Sequence, residues 1–366
     1  MSKGKVDNYT FPLEVTYPLE YQKENFWRCR YTSAENESLH YKIIIPLYVK
    51  PVLVTPKNIN ELGVTMIGLY RTVAEKPYLE VAVAYEYIKN EMNASDWLYR
   101  VLDLMGETII HRKEYFSESG IYTDVLTQKI YNDEKMISRF RVQKDSDMHM
   151  SGANFFMIKA TCHSENYELL AEDVLQSISW LELINKNDWS MAESLKGVNS
   201  SFPTDFCFYY PNSWSLREAK DNVGNLKRYI LSYEIDGEDI NMMNLYFAVM
   251  DDDVTAQFIC DTLSRRLGRI TNISALQLRN VSPALNSKVD ELWLVDTEVA
   301  DKQSQQKGEL KIYVGRINNL WFYFEMLSPL KGKDFYHWAI NRRALSIIIN
   351  SLNNMDASFN EKYIGE

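Results

Sequence analysis

The two halves of the sequence repeat one pattern of hydrophobic residues, and this repeat limits the folds that the chain can adopt. An apolar run that ends in proline, Tyr41–Pro46, returns as Phe206–Pro211. In each half, matching apolar side chains then recur at every second position, at 81, 83 and 85 and at 245, 247 and 249, as in a β-strand. The length of 366 residues also exceeds the roughly 250–300 residues at which single cores stop growing. The repeat therefore predicts two tandem copies of one domain.

A helix is predicted after this strand in each half. In the first half, Ser95 or Asp96 can cap a helix that ends at Gly106, and in the second half Asp253 can cap one that ends at Gly268. Ser and Asp side chains accept hydrogen bonds from the free amides of a helix start, and glycine tolerates the left-handed conformation in which many helices end.

Three strands and a closing helix are predicted for the rest of each half. The strands are expected near residues 124–131, 136–142, 154–160, 291–299, 309–315 and 320–327. Apolar residues spaced three and four apart predict the closing helices, from Tyr167 to Ile178 and from Phe335 to Ile349. The fold class predicted from this order is α+β, with two tandem, pseudo-symmetric antiparallel sheets that each carry helices on one face.

These patterns divide the chain into five segments. An N-terminal extension, 1–40, contains candidate edge strands at 11–17 and 26–31. The remaining segments are the first repeat, a polar linker, the second repeat and a polar tail expected to fray, at 41–184, 185–200, 201–353 and 354–366.

Composition argues against several classes of protein. A net charge of -10 argues against nucleic-acid binding, because phosphate neutralisation needs clustered Lys and Arg. The sequence shows no signal peptide and no run of the ~18 apolar residues that a membrane span needs. Four scattered cysteines without CxxC spacing favour a reducing compartment, namely Cys29, Cys162, Cys207 and Cys260. We therefore expect a cytoplasmic protein without a membrane span.

Motifs that would indicate catalysis or metal binding are missing from the sequence. The five histidines lack metal-ligand spacing, and the adjacent Cys162 and His163 do not by themselves form a nucleophilic pair. The run at 251–253 consists of three aspartates, but it directly precedes a predicted helix, where negative charge favours the helix start. The sequence therefore predicts a protein that is not an enzyme and needs no metal or cofactor.

Aromatic residues of the strands are the candidate partner-binding residues. Alternation places Trp321 and Tyr323 on the same sheet face as Glu325, which marks that face as the wetter one. Exposed aromatic patches often bind partner proteins. Alternatively, these residues pack the two repeats together or are covered by loops. The complete candidate set is Tyr246, Tyr313, Trp321, Tyr323, Phe155 and Met157.

The second half resembles a PsbP-type domain. The resemblance is carried by the segment from Phe208 to Trp214 (FYYPNSW), by the aromatic strand at 321–324 and by the helix at 334–352. This fold is shared with the Mog family and with a bacterial family that includes the Eag adaptor chaperones of type VI secretion. The resemblance covers residues 201–353. It reaches 41–184 only through the internal repeat, because Val49 stands in the first half where Trp214 stands in the second.

The resemblance implies a non-enzymatic binding protein. It predicts a cytoplasmic adaptor or chaperone of a bacterial secretion system, which binds an apolar segment of a partner such as a secreted effector or an apparatus subunit. Two alternatives remain open. One is a structural or assembly component of a larger complex, and the other is an uncharacterised enzyme or secreted effector.

Overall fold

The computed structural model divides the chain into two compact units, which consist of Met1–Lys89 with Asn93–Ala192, and of Asn90–Met92 with Glu193–Glu366. The residues that the structure describes are 9–33, 35–54, 57–59, 63–73, 76–118, 120–147, 151–187, 189, 191–220, 224–235, 238–251, 253–265, 267–272, 276–282, 286 and 288–354. The predicted fraying of the tail at 355–366 lies outside these residues.

Three helices and eleven strands form the described part of the first unit, besides two short 3-10 turns. The helices are α1 (Leu19–Asn25), α2 (Ala94–Met105) and α3 (Tyr167–Ser179). The strands are β1 (Phe26–Tyr31), β2 (Tyr41–Pro46), β3 (Val49–Pro51), β4 (Lys57–Ile59), β5 (Val64–Thr72), β6 (Leu79–Ile88), β7 (Thr108–Ser117), β8 (Gly120–Tyr131), β9 (Glu134–Ser146), β10 (Ala153–His163) and β11 (Glu182–Leu183).

The described part of the second unit contains three helices and ten strands. The helices are α4 (Ala256–Ser264), α5 (Leu267–Ile270) and α6 (Phe335–Ser351). The strands are β12 (Leu195–Ser200), β13 (Phe206–Pro211), β14 (Trp214–Glu218), β15 (Leu226–Ile235), β16 (Glu238–Val249), β17 (Arg279–Asn280), β18 (Glu291–Ala300), β19 (Lys307–Ile317), β20 (Leu320–Pro329) and β21 (Asn353–Asn354).

Both units arrange their strands in the same order. The large sheet of the first unit runs β3-β5-β6-β10-β9-β8-β7, with β4 beside β5, and that of the second runs β14-β15-β16-β20-β19-β18-β17. Each unit also has a small sheet, β1-β2-β11 or β12-β13-β21, and the pairings are antiparallel. The chain therefore has the predicted α+β fold with two repeated sheet-and-helix units.

Helices cover both faces of the first large sheet, not one face as predicted. On one face, Phe156 and Ile158 of β10 belong to a core that includes residues of α3 and of the small sheet. On the other face, the ring of Phe155 lies 5.7 Å from that of Trp97 in α2. The prediction is wrong because α2 also has an apolar side, which includes the fully buried Leu98 and Val101.

The strand predictions hold for six strands of the two large sheets, which correspond to β8, β9 and β10 and to β18, β19 and β20. Strands β7 and β17 precede them and were not predicted. Residues 26–31 form β1, whereas 11–17 form no strand. Part of the predicted polar linker is β12, which pairs with β13 through its backbone and so needs no apolar pattern.

The helix ends differ in part from the prediction. Helix α2 ends at Gly106, which has the expected left-handed conformation with a φ of 68°. Helix α4, however, begins after Thr255, whose side chain accepts a hydrogen bond from the backbone of Phe258, and not at Asp253. It ends before Gly268, which lies inside α5. Of the helices described, none is both long and apolar enough to cross a membrane.

Candidate functional site

Three of the predicted partner-binding residues lie together on one face of the second large sheet, but they are buried there. Tyr246 of β16 pairs with Tyr323 of β20, and their ring centroids are 5.7 Å apart. Helix α4 packs over this face, and the hydroxyl of Ser264 lies 3.0 Å from that of Tyr323. Tyr246, Tyr323 and Trp321 are only 5, 1 and 3% exposed. The prediction of an open aromatic surface is therefore wrong here, because α4 covers it.

The sheet face that carries Glu325 is not exposed to solvent, contrary to the prediction. Its carboxylate is 5% exposed and accepts hydrogen bonds from the Tyr323 hydroxyl at 3.1 Å and from the Asn244 amide at 3.2 Å. These donors replace the water that an ionised carboxylate would otherwise require. A polar side chain in the strand pattern thus indicates a buried hydrogen-bond network in this unit.

Tyr313 lies on the opposite face from the other tyrosines. It pairs with Phe324 of β20, so the two side chains share a face, whereas Val314 pairs with Tyr323. Tyr313 was included with Tyr246 in the predicted partner-binding set, and its sequence neighbours Ile312 and Val314 are apolar. Both faces of this sheet are core, so an apolar neighbour does not identify the solvent side.

The predicted residues of the first unit are also buried. Phe155 is fully buried beside Trp97 of α2, and Met157 is 5% exposed. The exposed surface predicted for these two residues is therefore wrong, since α2 covers that face. Whether any residue of the predicted set contacts a partner stays a prediction.

An edge strand of the first unit, β7, carries the exposed aromatic residues that the prediction sought elsewhere. Within the described residues, β7 forms pairs only with β8 and ends the strand order of the large sheet. Ile109, Tyr115 and Phe116 of this strand are 38, 41 and 50% exposed. An edge strand presents unpaired backbone donors and acceptors along its outer side, so β7 is suited to pair with another extended chain.

A cleft of about 410 Å³ adjoins the end of this edge strand. Tyr115 pairs with Tyr122 of β8, and both residues line the cleft. Its other side is formed at the end of α3, where Ile178, Ser179 and Leu181 contribute to the lining. We use the name "edge cleft" for this cavity together with the exposed side of β7. Apolar walls with few polar groups are typical of binding clefts.

Arg141 is the positively charged residue among the described residues that line the cavity. Its Nη2 donates to Asp124 Oδ2 at 2.8 Å, and Asp124 also accepts two hydrogen bonds of 2.9 Å from Arg139. The Nε of Arg141 has no hydrogen-bond partner among the described residues, and 28% of the side chain is exposed. The guanidinium is thus fixed by a buried carboxylate, and although its Nε is buried, the exposed part of the side chain can contact a bound carboxylate or carbonyl.

Cys162 and His163 do not form a catalytic pair in this structure. They are neighbours in β10, so their side chains point to opposite faces of the sheet. Cys162 is fully buried in the core, and burial raises the pKa of its thiol to about 12. His163 instead places Nδ1 3.5 Å from Glu134 Oε2. Cys162 is therefore a core residue and a poor nucleophile.

A second cavity, of about 470 Å³, includes Asp334 and His337 of the second unit. Asp334 Oδ1 accepts from the His337 backbone at 3.3 Å, and Oδ2 lies 2.5 Å from Nδ1 of the same histidine. Asp334 is the N-cap of α6, so this pair begins a helix. Across the described ranges, no three His, Cys, Asp or Glu side chains could hold a metal ion together; Asp252 lies outside them.

Comparisons with known proteins give likenesses among solved structures alone. No protein-family model and no curated protein matches the chain. LpqN, involved in cell envelope biogenesis of Mycobacterium tuberculosis, is similar with 6% identity over 45% of this chain and 96% of that chain, at a TM-score of 0.32. PsbP from the cyanobacterium Synechocystis has 12% identity over 43% of this chain and 92% of that chain, at a TM-score of 0.31.

A third similar structure spans both units. The immunity protein TplEi of T6SS from Pseudomonas aeruginosa has 10% identity over 90% of this chain and 98% of that chain, at a TM-score of 0.23. The similar structures thus include a PsbP protein, the type of domain that the sequence resembles. The relation to Eag-type chaperones stays a prediction.

Proposed function

We propose that this chain is a non-enzymatic protein of a bacterial secretion system that binds an extended segment of a secreted partner at the edge cleft. The observation that carries the proposal is the exposed edge of β7, which ends beside a cleft with a fixed arginine. The secretion setting is adopted from the sequence resemblance and accords with the name of TplEi. A cytoplasmic location and an adaptor or chaperone role are parts of this proposal.

The partner segment would bind as an additional strand. Its backbone would pair with the outer side of β7, and apolar side chains would cover Tyr115 and Phe116, which are about half exposed. A carboxylate of the segment would contact the guanidinium of Arg141, whose side chain is 28% exposed. The expected partner sequence is therefore extended and largely apolar, with one acidic side chain or a terminal carboxylate.

The proposal is tested by comparing two double variants in affinity capture from the host, followed by mass spectrometry. Tyr115→Lys/Phe116→Lys places two charges on the edge cleft and is expected to abolish capture of a secreted protein. Ile130→Lys/Tyr131→Lys is the matched control, because these residues are 72 and 61% exposed at the other end of β8. Circular dichroism of both variants would establish that each is folded.

A captured protein identified in this way would then be purified and its Kd measured by calorimetry. We expect the edge variant to weaken binding by at least about tenfold, and Arg141→Gln to weaken it in a similar range, because each removes a contact of the bound segment. The proposal would be contradicted if Tyr115→Lys/Phe116→Lys bound the partner as tightly as wild type. It would also be contradicted if Ile130→Lys/Tyr131→Lys lost as much affinity as Tyr115→Lys/Phe116→Lys.

A further inference from the structure

A third cavity lies in the second unit, and the charged residues among its described lining are arginines. It has a volume of about 330 Å³ and lies between strands β15 and β16 and the end of α4. The lining residues are Leu226, Arg228, Tyr246, Thr262, Leu263, Arg265 and Arg269. The described lining residues thus carry a formal charge of +3, in a protein whose net charge is -10. Such a concentration of guanidinium groups is suited to bind an anion.

Arg228 is held in place by buried partners. Its Nη2 donates to Asn244 Oδ1 at 2.9 Å, and its guanidinium carbon lies 5.5 Å from the ring centroid of Tyr246. Asn244 is in turn fixed by its hydrogen bond to the buried Glu325. A guanidinium fixed in this way loses little side-chain entropy when it binds an oxyanion.

Two acidic residues of the described part of this unit, Glu325 and Asp261, have hydrogen-bond partners outside the cavity lining. Glu325 accepts hydrogen bonds from Tyr323 and Asn244, and Asp261 of α4 accepts one from Gln257. Arg265 and Arg269 are exposed, so their side chains can reach an anion in the cavity. Thr262 adds a hydroxyl donor to the lining, and the two leucines provide an apolar wall.

We infer that this cavity is a binding site for a phosphate group, held by Arg228, Arg265 and Arg269. Three guanidinium groups balance the charge of a phosphate dianion better than that of a monovalent carboxylate. The group is either free phosphate or the phosphate of an ester, whose apolar part would contact Leu226 and Leu263. This site is separate from the edge cleft, and the inference does not depend on the proposed function.

The test measures binding of inorganic phosphate and of phenyl phosphate to the full chain by calorimetry, at constant ionic strength. Arginine Nε–H signals in NMR spectra provide the second readout. Arg265→Met/Arg269→Met is expected to weaken phosphate binding by at least about tenfold, because each charge-assisted hydrogen bond contributes substantially to affinity. Tighter binding of phenyl phosphate would assign an ester as ligand, and tighter binding of inorganic phosphate would assign the free ion.

The control is Arg217→Met/Arg279→Met, which changes the net charge equally at two exposed arginines outside the cavity. It is expected to retain the wild-type affinity. Arg228→Lys keeps the charge but removes the planar fork, so it is expected to bind more weakly than wild type. The inference is overturned if phosphate binding does not saturate, or if the cavity variant and the control lose affinity equally.

Discussion

Asp124 is a fully buried carboxylate that lies between two arginines of β9. Arg139 is also fully buried and binds it through two hydrogen bonds of 2.9 Å, and Arg139 lies 4.3 Å from the ring of Phe11. Removing one partner of a buried ion pair leaves the other charge without compensation. We therefore expect Asp124→Asn to lower the free energy of unfolding by about 3–5 kcal/mol, measured by chemical denaturation.

The matched control for this pair is Arg71, whose Nε lies 2.6 Å from Glu80 Oε2 and whose side chain is 51% exposed. Arg71→Met is expected to cost at most about 1 kcal/mol, because solvent screens exposed pairs. Similar costs for Asp124→Asn and Arg71→Met would show that burial of the Asp124–Arg139 pair does not determine its contribution.

Asp145 of β9 makes stability depend on pH. Burial raises the pKa of its carboxyl from 3.8 to about 6, while hydrogen bonding from the Asn187 backbone and the charge of Lys186 act in the opposite direction. Between these two values, the folded state binds more protons than the unfolded state. The stabilisation is therefore complete below pH ~4 and is lost as the pH rises through about 6.

We expect Asp145→Asn to remove this pH dependence. The free energy of unfolding of wild type relative to the variant should fall by up to about 3 kcal/mol between pH 3.5 and 7, measured by urea denaturation. Glu182→Gln, at a side chain that is 63% exposed, is the control and should keep the wild-type slope. Parallel pH profiles for wild type and Asp145→Asn would refute the assignment.

At the scale of single elements, helix α4 owes its start to Thr255, whose Oγ1 accepts from the Phe258 backbone at 3.2 Å. Thr255→Ala should lower the free energy of unfolding by about 1 kcal/mol, because it removes this cap. Asp253→Ala, at the residue that the sequence suggested, should cost less. Hydrogen exchange at the Phe258 amide would report the same change locally, and a larger effect of Asp253→Ala would reverse the assignment of the cap.

The sequence allowed most elements to be predicted, because apolar periodicity reflects burial of one side of a strand or helix. Strand β7 was missed because consecutive residues from His111 to Glu114 are polar or charged, as on an edge strand that few residues cover. Cap residues also could not be distinguished, since Asp253 and Thr255 are both good caps and the helix start depends on backbone geometry.

The candidate site could not be predicted because alternation separates two faces without showing what covers either one. Trp321 and Tyr323 were correctly placed on one face, yet α4 buries that face and α6 packs on the other side. The edge cleft combines Tyr115 and Arg141, which are far apart in sequence and meet only through the β7-β8-β9 order. Such a combination requires the strand order, which periodicity does not supply.

At the scale of the whole molecule, each unit has its own core around the central strands of its large sheet. Tyr41, Val81 and Ile158 are among the core residues of the first unit, and Ile312 and Tyr323 are among those of the second. Amides of central strands exchange slowly because they are released only when most of a core opens. We expect slow exchange in β6, β10 and β9 and, as a separate set, in β16, β20 and β19.

The outer amides of β7 should behave differently from both sets. Because β7 pairs only with β8 within the described residues, its outward amides should exchange at least about a hundredfold faster than those of β10, measured by NMR-detected hydrogen exchange. Within the described residues, β17 pairs with only two residues of β18, so amides near Asp296 serve as the comparison at the corresponding edge of the second unit. If the β7 amides were as protected as those of β10, another chain would already cover this edge. Strand addition instead requires that the β7 amides exchange rapidly in the free protein and that their exchange slows selectively when the captured partner is added.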